Sequence, residues 1–200
     1  MNKKVLGLII LVIACIIGIA VNMHKKQDTM EQNTTPQYVT VKDGHFYIGD
    51  KEYRYVGTNF WYGAILASEG MGGNRERLKK ELDLMQEIGI TNIRVLVGGD
   101  GTGEHEYQIK PTLQLAPGVY NDTILRGLDY LMADLEQRNM KAVLYINNAW
   151  EWSGGFGVYL DWAGMGKPAT PKDWVEYQAY HSQFTKNEKA KKLAADHTRF

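Results

Sequence analysis

One cysteine, Cys15, serves the whole chain. Everything after it therefore lacks disulfides, thiolate chemistry and cysteine metal ligands. The five histidines, His24, His45, His105, His181 and His197, contain no His-x-x-x-His spacing, which removes the usual support for a zinc site. His181 and His197 are expected on helix surfaces or satisfied in the interior. An excess of one charge is missing as well. Lys and Arg number 23 against 23 Asp and Glu, so nothing in the net charge favours nucleic acid or an acidic polymer as partner. No metal and no redox cofactor is implied, and no internal repeat shows. Aromatic residues, by contrast, are plentiful. Twelve Tyr and 5 Trp without a basic patch suit a neutral polar ligand.

The N-terminus reads as an export segment, not as fold. Lys3 and Lys4 precede an unbroken apolar run over residues 5–21, and His24-Lys25-Lys26 closes it. Residues 1–26 are thus expected to be a signal peptide or a membrane or lipid anchor. Val12-Ile13-Ala14-Cys15 resembles a bacterial lipobox, which would put a lipid on Cys15, yet apolar residues continue past it, as in an uncleaved anchor. Both readings stay open. Residues 27–37 are polar, contain Pro36 and read as a linker.

A folded region starts at Tyr38 and runs to Phe200. Strand signals over 38–42 and 45–48 flank an Asp43-Gly44 turn, which predicts a hairpin. A strand is expected over 53–58. Leu78, Leu82, Met85 and Ile88 then recur at helical spacing through 75–88, and Gly89 stops the helix. Apolar strands follow at 93–97 and 142–146, with a second amphipathic helix between them over 123–138. Thr170-Pro171-Lys172-Asp173 predicts a helix start with Thr170 as cap and Pro171 in first position, and a last helix starts near Asn187. Alternating β and α elements imply an α/β fold with a parallel sheet, either doubly wound or a (β/α)8 barrel. The long stretches 60–74, 98–122 and 147–170 all follow strands, and elaboration on that one face favours the barrel.

Chemistry-bearing residues gather in those stretches. Gly98-Gly99-Asp100-Gly101-Thr102-Gly103 follows a strand but lacks the Gly-x-Gly-x-x-Gly and Gly-Lys-Ser/Thr signatures, so a flexible site loop is preferred to a nucleotide cradle. Arg94 lies in an otherwise apolar strand and needs a partner. It could be a structural ion pair or a group that keeps a neighbouring carboxylate ionised. Trp61 and Tyr62 sit in a glycine-bracketed run interrupted by Asn59, readable as core or as ligand platform. In residues 147–152, Asn147, Asn148, Trp150, Glu151 and Trp152 combine flat apolar faces with hydrogen-bonding groups, the two needs of a sugar ring. Capping of a helix by an Asn is the structural alternative. Asp100, Glu104, Glu106 and Asp161 are the remaining nearby carboxylates, and none has an evident partner for two-carboxylate glycoside chemistry.

Gly57–Gly63, Asn92–Val95 and Asn147–Gly155 resemble endo-β-1,4-mannanases (mannan endo-1,4-β-mannosidases) of glycoside hydrolase family 5, a similarity that extends from Tyr38 to Phe200. The resemblance implies a TIM barrel, represented by an N-terminal hairpin and about three βα units. It also implies a hydrolase of β-mannan or mannooligosaccharides that retains configuration, and the N-terminal segment makes it an exported, membrane-associated one. Trp61, Tyr62, Arg94, Asn148, Trp150 and Glu151 would line the substrate side, with Arg94 supporting the nucleophile. The family's acid/base glutamate stands in an Asn-Glu-Pro motif, whereas the only Asn-Glu here, Asn187-Glu188, precedes Lys189 at a helix start. Neither catalytic glutamate is expected within the chain. The 200 residues alone are therefore expected to be inactive and prone to aggregate. Another β-glucan hydrolase of the same family, such as an endoglucanase, and a non-catalytic sugar-binding fragment are the alternatives.

Overall fold

The computed structural model describes residues 38–103 and 108–199. The apolar N-terminal run, Cys15, the linker, Glu104 and Glu106 lie outside the described residues. Two compact units divide at Arg54/Tyr55. The first is an antiparallel meander of β1 (Thr40–Lys42), β2 (His45–Ile48) and β3 (Lys51–Glu52), with Thr40 opposite Tyr47 and Tyr47 opposite Glu52. Asp43 and Gly44 take φ of 52° and 79°, which is the turn the dipeptide predicts. The expected strand over 53–58 is instead split. Tyr53 N–H still donates to the Phe46 carbonyl of β2 at 2.7 Å, the chain then leaves the pairing, and only Gly57 and Thr58 enter the next strand, β4 (Gly57–Asn59).

The second unit carries a parallel sheet in the order β4, β5 (Asn92–Leu96), β8 (Lys141–Tyr145), with Asn59 beside Arg94 and Arg94 beside Val143. Between β4 and β5 come α1 (Gly63–Ala67) and α2 (Arg75–Glu87). Between β5 and β8 come a small antiparallel pair, β6 (Gln114–Ala116) and β7 (Val119–Tyr120), and then α3 (Asp122–Gln137). The C-terminal part holds α4 (Gly155–Leu160), α5 (Trp174–His181) and α6 (Glu188–Thr198). Side-chain caps set the helix starts: Asn74 accepts from the Arg77 N–H at 2.9 Å, Asn121 from Thr123 at 3.1 Å and Asn187 from Ala190 at 3.0 Å. Asn187 is thus the cap at the start of α6. The predicted cap at Thr170 is displaced. Asp173 does that work, accepting from Glu176 N–H at 2.9 Å, because Pro171 and Lys172 form a turn ahead of the helix.

Period-two alternation sorts the faces of β5. Ile93 and Val95 point to the helices and share one core with Phe60, Leu78, Leu82, Ile124, Leu131 and Leu135. Asn92, Arg94 and Leu96 occupy the opposite face. Helix α3 comes close to α1 because residue 127 is glycine. A Cβ there would stand 2.4 Å from the Ala64 carbonyl oxygen. A second, smaller core joins α4 to α6 through Tyr159, Leu160 and Ala190. Among the described residues no helix is long and apolar enough to cross a membrane.

Candidate functional site

The strand ends dictate what faces outward. Phe60 N–H donates to the Arg94 carbonyl at 2.8 Å and Val97 N–H to the Tyr145 carbonyl at 3.0 Å, so the loops after β4, β5 and β8 depart side by side. Three successive aromatics then take different roles while staying in ring contact through Tyr62. Phe60 is buried in the core. Trp61 meets Trp152 edge to face, with ring centroids 5.6 Å apart and planes 72° apart. Tyr62 turns back to the helices, and its hydroxyl donates to Glu81 of α2 at 2.8 Å. Burial, then the Glu81 hydrogen bond, raise its phenol above the ordinary range. Tyr62 thus anchors its hydroxyl on the helix side while its ring still meets that of Trp61 edge to face, with centroids 5.4 Å apart.

Arg94 lies on the face away from the helices and is exposed, unlike its neighbours Ile93 and Val95. Among the described residues it meets an aromatic ring in place of the anticipated carboxylate: its guanidinium carbon is 3.6 Å from the Tyr145 centroid. The cation is thus held midway along β5, against the last residue of β8. The strand is apolar on its helix-facing side, and Arg94 projects from the opposite face.

The stretch after β8 is a tightly tied turn. The Asn148 side chain accepts from Trp150 N–H at 2.7 Å, an Asx turn in place of a helix cap. Glu151 starts a short 3-10 turn and accepts from the Tyr177 hydroxyl at 2.8 Å. Burial, then Glu151, push the Tyr177 phenol upward. Asn148 and Glu151 are thus engaged in fixing the turn, while Trp150 stays half exposed. The loops after β5 and β8 are joined through their backbones. Ser153 C=O accepts from Asp100 N–H at 2.9 Å, and Trp152 C=O accepts from Ile109 N–H at 2.7 Å. Gly154 has φ of 96°, and a Cβ on it would stand 2.3 Å from the Asp100 carbonyl oxygen. The glycines of the preceding loop have the same cause: a Cβ on Gly98 would meet that of Leu113 at 2.1 Å. They serve close packing.

Asp100 is the group that the sequence left without a partner. It is 1% exposed and accepts from the Tyr159 hydroxyl at 2.8 Å. His197 Nε2 lies 3.5 Å from its other carboxylate oxygen, and His197 Nδ1 faces the Tyr120 hydroxyl at 3.1 Å. Burial raises the Asp100 carboxyl to about 7, partly opposed by the Tyr159 hydrogen bond. Burial also lowers His197. Burial thus disfavours the charged form of both groups. No local signal announces such a cluster, since Tyr159 and His197 arrive from remote helices. Among the described residues no group of three or more His, Cys, Asp or Glu could hold a metal ion.

The parallel sheet, the helices on one face and the polar-aromatic loops at the strand ends define the N-terminal part of a (β/α)8 barrel. A family model described as "GH family 5 beta-mannosidase-like" matches residues 36–200, and the chain belongs to that glycoside hydrolase family. Mannan endo-1,4-beta-mannosidase 7 of Arabidopsis thaliana is 27% identical over 151 residues, covering 75% of this chain and 33% of that protein. Mannan endo-1,4-beta-mannosidase 3 of Solanum lycopersicum is 27% identical over 127 residues, 63% of this chain and 29% of the relative. The crystal structure of the family 5 mannosidase from Rhizomucor miehei superposes with a TM-score of 0.73 at 32% identity, over 80% of this chain and 41% of that one. An endo-1,4-β-mannanase from the same organism shares the fold, with a TM-score of 0.55 at 20% identity. The chain spans about a third of the curated relatives' length.

Proposed function

We propose that this chain supplies the aromatic and cationic side of a cleft in a retaining glycoside hydrolase that cuts internal β-1,4-mannosidic bonds. The carrying observation is the meeting of Trp61 and Trp152 from the loops after β4 and β8, with Arg94 stacked on Tyr145 on the helix-free face of β5, the strand between them. The indoles offer apolar faces to pyranose C–H groups, and Arg94 stands where it stabilises negative charge on a neighbouring carboxylate. Trp150 adds an exposed ring. Asn148 and Glu151 act on the sugar through the turn they hold in place. The two glutamates, one protonating the glycosidic oxygen and one attacking the anomeric carbon, belong to later strands of the barrel. The mannan-directed relatives support the reading.

The test is release of reducing ends from β-mannan, compared with cellulose, by the whole protein. Mannan-selective hydrolysis that falls at least about a hundredfold in kcat for Arg94→Met supports the reading. Equal rates on cellulose would move the activity to β-glucan, and an Arg94→Met enzyme with unchanged kcat would remove Arg94 from the chemistry. A second reading has the protein acting on chain ends. It is favoured by the higher similarity to the Rhizomucor miehei mannosidase, 32% against 20% for the mannanase. Product analysis decides: single mannose units from the outset indicate end action, and mixed oligomers indicate internal cleavage.

We further propose export and tethering through residues 1–26, on the strength of Lys3, Lys4 and the apolar run. Mass spectrometry of the membrane fraction distinguishes a lipid on Cys15 from an uncleaved helix, and an unlipidated chain confined to the soluble fraction would overturn tethering.

A further inference from the structure

Beyond the strand-end site, the turn after β8 and the start of α5 bring two indoles to the surface. Trp150 and Trp174 are 51% and 49% exposed. Their centroids are 6.4 Å apart and their planes within 19° of parallel. Buried Tyr177 backs both indoles, 5.2 Å from Trp174 at 10° and 6.4 Å from Trp150 at 13°. This alignment is held from several sides. Glu151 fixes the Tyr177 hydroxyl at 2.8 Å, and His181 stacks under Tyr177 at 3.9 Å. Asp173 caps the turn that carries Trp174, and Asn148 fixes the turn that carries Trp150.

Two half-exposed indoles, each pinned in orientation, are an unusual use of apolar surface in a loop. Here they cover one another in part and leave the rest open. The patch adjoins the proposed cleft in the chain, because Trp150 and Trp152 flank Glu151 on one turn and Trp152 meets Trp61. A rigid aromatic surface binds without the cost of ordering mobile side chains, and its flat faces match the C–H side of a pyranose.

We infer that Trp174, together with Trp150, forms an outer pyranose platform that holds the part of a β-mannan chain extending past the strand-end site. This inference rests on the proposed mannan reading for its ligand. Glu151 acts here as a positioning residue, through Tyr177.

The experiment compares the whole protein with its Trp174→Ala and Trp174→Phe variants on mannohexaose and mannotriose, together with calorimetric binding of mannohexaose. The expected result is a KM for mannohexaose raised about tenfold in Trp174→Ala, severalfold more than for mannotriose, with kcat little moved and most of the loss restored by Phe. Equal losses on both lengths with a lowered melting temperature would make Trp174 structural and overturn the platform. So would unchanged affinity for mannohexaose. Should the wild type bind mannohexaose without releasing reducing ends while Trp174→Ala weakens that binding, the platform stands and the hydrolytic reading falls.

Discussion

The barrel wall and the loop rim above it are built on different physics. In the wall, Leu78, Leu82, Ile93, Leu131 and Leu135 interdigitate between helix and sheet with essentially no exposure. In the rim, aromatic and polar groups dominate: Tyr177 with Glu151, Tyr159 with Asp100, Tyr120 with His197 and Trp61 with Trp152. Wall contacts are non-directional, so an apolar residue of the right size serves. Rim contacts are directional, and each needs a particular partner brought from a distant part of the chain. The wall supplies stability, while the rim sets the shape presented to a ligand.

Substitutions can break that division. Leu131→Ala in the wall should cost about 3–4 kcal/mol, read from urea unfolding, through lost burial and the cavity left behind. Its sugar affinity, measured below the unfolding transition, should hold. Gly154→Ala strikes the junction of the two rim loops. Its positive φ and the 2.3 Å approach to the Asp100 carbonyl should cost about 2–3 kcal/mol and weaken sugar binding together. A variant of wild-type stability would show that the loops slide freely.

The buried Asp100–His197 pair gives a third, pH-dependent test. The Asp100 carboxyl titrates near 7 in the folded state, above its unfolded value, so its share of stability is full at low pH and lost as pH rises towards 7. His197 is lowered, so its share is lost as pH falls below about 6.5. The two slopes oppose one another in the wild type. His197→Gln should expose the Asp100 slope, with stability falling by up to about 1.4 kcal/mol per pH unit between pH 5 and 7. Asp100→Asn should expose the opposite slope, and parallel profiles for both variants would refute the pairing. The smallest effect concerns adjacent rings. Tyr62→Phe should lose about 1 kcal/mol of stability with unchanged sugar affinity, by losing the hydroxyl bond to Glu81. Trp61→Phe should do the reverse in calorimetric titration.

The same division explains what could be read in the sequence. Wall elements were legible from periodicity, since helix 75–88 is observed as Arg75–Glu87, strand 93–97 as Asn92–Leu96 and helix 123–138 as Asp122–Gln137. Single-residue offsets arise where strand ends feed loops. The barrel preference drawn from loops on one face matches the observed parallel sheet. Inside the long loops periodicity has nothing to act on, so α1 and the β6–β7 pair were not anticipated. The cap assigned to Thr170 failed because Thr170 and Asp173 both suit a helix start, and only the turn geometry selects Asp173. At the rim, Trp61 and Trp152 were visible as residue types, but their meeting was not. Asp100 seemed unpartnered because its partners lie 59 and 97 positions away along the chain.

The close passage of Gly154 over the Asp100 carbonyl also bears on engineering. Loop exchange between related barrels usually treats each strand-end segment as a separate cassette. Here the segments after β5 and β8 share backbone bonds and a contact that tolerates no side chain. They form a single transplantable part. A graft that carries the Trp-Glu-Trp turn without its Asp100 counterpart should inherit the residues and lose their arrangement.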